Sequence, residues 1–104
     1  MKNHVLVIGG GAAGMIAAIS ARYNGAEVTI LERNPRIGKK LLATGNGRCN
    51  FTNVNASAEC YYGNNPRFVY SALAAFSAQD AIMFFEQLGI QHKVEEFGKV
   101  FPMS

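Results

Sequence analysis

The chain has 104 residues, of which 49% are hydrophobic and 16% charged, with a formal net charge of +3. That apolar share excludes an intrinsically disordered segment. Two cysteines, Cys49 and Cys60, exclude a disulfide scaffold and fit no zinc or Cys-x-x-Cys redox spacing, and so modest a charge does not by itself indicate nucleic acid.

Length alone suggests one small domain, and the cysteine usage is compatible with a cytoplasmic location. Glycine is unevenly spread: eight of the eleven fall in the first 47 residues. Residues 5–21 are almost uniformly apolar or small, but three consecutive glycines sit near their middle. At about 1 kcal/mol each, these argue against a membrane-spanning helix and for a strand, a turn and a helix. The sequons at Asn50 and Asn55 accompany no secretory pattern and are read as chance.

In chain order, His4–Ile8 is β-branched without polar alternation, which predicts a fully buried parallel strand. Gly9–Gly11 make a turn, Ala12 to about Tyr23 a helix, and Asn24-Gly25 its stop. Glu27–Leu31 is a second strand, closed by Glu32. Strand, helix and strand over 4–32 have the size of a βαβ unit.

Residues 33–65 read as a long loop of Pro, Gly, Asn and basic residues, with Lys39–Ala43 its one helical turn. Pro66, behind Asn65, opens a helix to about Phe76. Ser77 and Asp80 have capping-box spacing before a second helix, which stops at Gly89. Its stripe of Ala81, Phe84, Phe85 and Leu88 is expected in the core. Residues 92–102 form a hairpin turning through Phe97-Gly98.

Gly9-x-Gly11-x-x-Gly14 matches a dinucleotide fingerprint. The spacing is common in a glycine-rich chain, and its place between strand and helix is what gives it weight. Gly9 permits the tight turn, Gly11 admits a pyrophosphate close to the backbone, and Gly14 lets helix pack on sheet. The helix start offers unpaired N–H groups to phosphate. Glu32, eighteen residues after Gly14, can accept hydrogen bonds from an adenosine ribose and would repel a 2′-phosphate, which leaves FAD and NAD and disfavours NADP.

Arg33, Arg36, Lys39, Lys40 and Arg48 place five positive charges in sixteen residues without an acid. Joined to the Gly- and Asn-rich run from Thr44 to Asn50, they suit a pyrophosphate or an electron-rich flavin.

Residues 7–18 (VIGGGAAGMIAA), 31–53 (LERNPRIGKKLLATGNGRCNFTN) and 98–102 (GKVFP) resemble the HI0933-like flavoproteins, a group also labelled NAD(P)/FAD-dependent or aminoacetone-oxidase-type oxidoreductases. The likeness covers essentially the whole chain. It implies an α/β fold, the amino-terminal βαβ part of an FAD-binding, Rossmann-like doubly wound domain. In the family a substrate domain is inserted into that domain, on a chain of roughly 400 residues. On this reading 1–104 is a fragment, inactive alone, and the rest of the FAD domain and the substrate domain are absent.

The resemblance further implies non-covalent FAD, with Ala12, Ala13, Glu32 and Arg33 toward the ADP half. Lys39, Lys40, Thr44, Gly45, Asn46, Gly47, Arg48, Cys49 and Asn50 would lie toward the pyrophosphate and isoalloxazine. The expected partners are a small-molecule substrate and an electron acceptor or donor, oxygen or NAD(P)H, with no nucleic acid, membrane or metal. Val54 stands where related disulfide reductases carry the second cysteine of a Cys-x-x-x-x-Cys pair, so Cys49 does not support that chemistry. The alternatives are an NAD-dependent dehydrogenase, an FAD-dependent RNA-modifying protein, and a non-catalytic fragment that only displays the nucleotide fold.

Overall fold

The computed structural model describes residues 2–103. The chain divides into two compact units, the first ending at Gly47 and the second beginning at Arg48.

In the first unit, β1 (His4–Ile8) and β2 (Glu27–Leu31) form a parallel pair in register from His4 opposite Glu27 to Ile8 opposite Leu31. Between them runs α1 (Ala12–Tyr23), ended by Asn24 and by Gly25 at φ 91°. This is the predicted βαβ unit, with its three element bounds as read from the sequence. Strand periodicity sends Val5, Val7, Val28 and Ile30 to one face, where α1 packs and half-buries them. Ala18 and Ala26 are buried there. Small alanines let the helix approach the sheet closely.

The expectation of a fully buried β1 is corrected. His4, Leu6 and Ile8 project to the other face, beside Thr29 and Leu31, and Ile8 is 78% exposed. The cause is coverage: α1 occupies one face of the sheet, and no described element of this unit lies on the other. A short helix, α2 (Lys39–Ala43), closes this unit where the sequence predicts a helical turn.

The second unit is built on a three-stranded antiparallel sheet of β3 (Thr52–Asn53), β4 (His92–Val94) and β5 (Lys99–Pro102), in the order β3-β5-β4. The predicted hairpin is β4–β5, turning through Phe97 at φ 62° and Gly98 at φ 78°. The two-residue β3 lies inside the stretch read as loop. It is defined by its partner β5 rather than by any local pattern. Val100, on the central strand, is fully buried.

Pro66 sits in the first turn of a 3₁₀ segment that leads into α3 (Tyr70–Ala75). Next comes α4 (Ala78–Gln87). Ser77 Oγ accepts the Asp80 N–H at 3.1 Å, and the Asp80 carboxylate accepts the Ser77 N–H at 2.9 Å, which completes the predicted capping box. The 22 residues Pro66–Gln87 are together long and apolar enough to cross a bilayer. Phe76, at φ −151° and ψ 89°, leaves the helix between α3 and α4. Each half is then about 15 Å long, half the roughly 30 Å hydrocarbon thickness.

The predicted core stripe of α4 shifts by a fraction of a turn. Ala78 and Ile82 are its buried residues, while Ala81, Phe84 and Phe85 of the predicted stripe are half-buried, the Phe85 ring edge-on to Phe51 at 4.9 Å. Leu88 is 63% exposed and caps the helix instead. Positions 78, 82 and 85 share one face at helical spacing, and so do 81, 84, 85 and 88. The sequence pattern alone does not choose between overlapping faces about 75° apart.

Candidate functional site

The glycine-rich turn links the end of β1 to the start of α1, and its four glycines are there for different reasons. Gly9 takes φ 102°, a conformation side-chain-bearing residues rarely adopt, while its N–H donates to the Leu31 carbonyl at 2.8 Å. A Cβ on Gly10 would stand 2.6 Å from Ile37 Cγ2, and a Cβ on Gly14 would run into the Gly9 carbonyl oxygen. Gly11 differs. Its φ of −83° and ψ of −170° suit any residue, and a Cβ there would meet nothing within 4 Å. Among the described residues, neither backbone conformation nor a steric contact requires glycine at that position.

Gly11 is also the N-cap of α1 and has no side chain to cap it. The first-turn N–H groups, at Ala12, Ala13 and Gly14, therefore lack a side-chain acceptor, and no acid lies in that turn. The 12-residue helix directs its positive dipole end at the same space. An anion fits that donor set.

Beside the turn, at the carboxyl ends of β1 and β2, lies an open cleft of about 840 Å³, lined by Ile8, Gly9, Ile30, Leu31, Glu32, Arg33 and Asn34. Its size is in the range of small-ligand sites, and its position is where open α/β sheets bind nucleotides. Glu32 Oε1 accepts the Gly10 N–H at 2.7 Å and Oε2 accepts the Asn34 N–H at 2.8 Å. These two backbone donors, Asn34 first and Gly10 second, hold the carboxyl below its ordinary range. The group is an acceptor with free lone pairs on both oxygens, suited to ribose hydroxyls and hostile to a 2′-phosphate.

Gly38 joins α2 to this turn by donating its N–H to the Gly10 carbonyl at 2.7 Å. Lys39 and Lys40 thus start a helix tethered to the fingerprint loop. Arg33, Arg36, Lys39 and Lys40 are exposed, and none makes an ion pair among the described residues. Thr44 Oγ1 donates to the Leu41 carbonyl at 2.8 Å and ends α2. Gly45, Asn46 and Gly47 then follow in left-handed conformations, with φ of 58°, 60° and 84°.

The last three sequence-predicted residues belong to the second unit. Cys49 is half-buried and takes φ 60°, an uncommon conformation for cysteine, and Asn50 is half-buried. Arg48 differs from the rest of the basic run. Its guanidinium pairs with Glu95 and lies 4.1 Å from the centre of the Phe101 ring. Among the described residues, four of the five positive charges make no ion pair and one is engaged.

Sequence reasoning missed Asn34, and placed Gly10 in the turn and Gly38 at the head of the loop without giving either a site role. The triple glycine hints at Gly10, which the fingerprint treats as any residue. Asn34, two residues past an acid, has the spacing of a local side-chain-to-backbone turn.

The chain matches the HI0933-like protein Rossmann domain over residues 3–104. It is 47% identical over 104 residues to the 3-dehydro-bile acid delta(4,6)-reductase of Clostridium scindens, covering 98% of this chain and 25% of that protein. It is 38% identical over 96 residues to the ribosomal RNA dihydrouridine synthases of Haemophilus influenzae and Escherichia coli, covering 92% of this chain and 24% of each. The chain spans about a quarter of the length of these curated relatives. With a βαβ unit, a Gly9–Gly14 turn and a family match over nearly its full length, the chain belongs to the HI0933-like Rossmann-domain family.

Proposed function

We propose that this chain supplies the ADP- and flavin-binding segment of an FAD-dependent oxidoreductase. The observation that carries the reading is Gly11: its glycine is unexplained by the fold and is accounted for by a ligand lying against the backbone. Glu32 would hold the adenosine ribose, the α1 N-terminus the pyrophosphate, and Lys39 and Lys40 the surrounding negative charge. Bound FAD would supply the redox chemistry, a two-electron exchange with the substrate. The chain's own part is to bind and orient it.

The names of the relatives narrow the reaction class. A delta(4,6)-reductase and a dihydrouridine synthase both saturate carbon–carbon double bonds. We propose reduction of an activated double bond in a small molecule, with NAD(P)H as the ultimate electron donor. A second reading, reduction of a base in RNA, is favoured by the two synthases and by the unpaired charges of Arg33 and Arg36.

The test is retention through gel filtration after incubation with FAD or NADH. FAD should stay with the whole protein and NADH should not. A steep loss of RNA binding with salt would favour the second reading, and no RNA binding at low salt would eliminate it.

A further inference from the structure

Resting on the FAD reading above, we propose that Glu95 is a positioning residue for cofactor binding, acting through Arg48 to hold the segment Arg48–Asn50 in its bound shape. Glu95 follows the hairpin strand β4 in extended backbone and leads into the turn, and its two carboxylate oxygens are divided between two cations. Oε1 accepts from Arg48, and Oε2 lies 3.0 Å from Lys93 Nζ. Lys93 pairs across the hairpin with Phe101, whose buried ring supports the Arg48 guanidinium. Two apart in extended backbone, residues 93 and 95 project to one side, so Glu95, Lys93, Phe101 and Arg48 form one cluster.

Within it Glu95 and Phe101 fix Arg48 from two sides, by charge and by an aromatic face, while the Lys93 ammonium, among the described residues, pairs only with Glu95. The next residue needs such a fixture. Cys49 takes φ 60°, and Phe51 donates its N–H to the Val100 carbonyl at 3.0 Å, so the backbone is tied two residues later. A non-glycine residue in that conformation persists where its surroundings over-determine it, and Arg48 on one side and Phe51 on the other do so. Arg48 therefore serves as a strut. Its charge is already answered by Glu95, unlike the exposed charges of Lys39 and Lys40.

The experiment compares the whole protein with Glu95→Gln, Arg48→Met, their double variant and Lys93→Gln. It reads FAD dissociation constants by flavin fluorescence and the position of the visible flavin band. Glu95→Gln should weaken FAD binding about 3- to 10-fold and shift the band, with Arg48→Met doing the same and the double variant no worse than Arg48→Met. Lys93→Gln shares the carboxylate but not the strut, and should stay within about 2-fold of wild type. A general loosening of the hairpin would instead lower Lys93→Gln and Glu95→Gln alike, and overturns the proposal. So does a Glu95→Gln protein that binds FAD as well as or better than wild type, since a freed Arg48 would then be a direct ligand; the FAD reading survives both results. A wild-type protein that takes up no FAD overturns that reading and this one together.

Discussion

Glu32 reaches back across 22 residues to take the Gly10 N–H at 2.7 Å, so the acid at the tip of β2 and the glycine turn after β1 form one hydrogen-bonded piece. The same carboxylate takes the Asn34 N–H at 2.8 Å. An acid expected to meet only a ribose also organises the loop around it.

This predicts a pH signature. The folded carboxyl is held below its ordinary value, so what it contributes is present above that value and is lost as pH falls through the lowered one. The Gly10 and Asn34 amide resonances should shift together on acidification, with a common midpoint below 4.5. Separate midpoints, or a common one at or above 4.5, would show that the two amides do not share the ionised Glu32.

Gly14→Ala should damage the fold itself. Its Cβ would collide with the Gly9 carbonyl oxygen, a backbone atom that cannot swing aside, and press on the Val7 side chain at Cγ1, 3.2 Å away. A loss of about 2 kcal/mol in denaturant unfolding is expected, with binding lost as a consequence. An unchanged midpoint would mean that α1 does not pack on β1 as described.

In the second unit, Ile82→Ala and Leu88→Ala separate the two faces of α4. Ile82 is 5% exposed, and truncating it should cost about 2–4 kcal/mol. Leu88→Ala should change stability by less than about 0.5 kcal/mol. The reverse order, read from thermal melts, would restore the face marked by Ala81, Phe84 and Leu88.

These cases also show what can be read from sequence. β1, α1, β2 and the Ser77–Asp80 cap are set by local chemistry: β-branched runs, turn glycines, and a hydroxyl three residues before an acid. Each signal lies within a few residues of the structure it makes. What escaped depends on distant partners. Thr52–Asn53 is a strand because β5 lies beside it, and Arg48 is paired because Glu95, 47 residues on, sits at the end of a hairpin. Counting charges in a window cannot reveal that. The open face of β1 escaped for a related reason, because strand composition records that a face is apolar and not what covers it.

The central claim is that a ligand explains Gly11, and Gly11→Val tests it most directly. The extended backbone there accepts a side chain and a Cβ would meet nothing within 4 Å, so the variant should fold, losing no more than about 1–2 kcal/mol relative to ligand-free wild type for the poorer N-cap residue. The wild-type whole protein should purify yellow with flavin bound, and the variant should be colourless and fail to take up added FAD. A wild-type protein that stays colourless after reconstitution with FAD, or a Gly11→Val protein that binds it normally, would contradict the account.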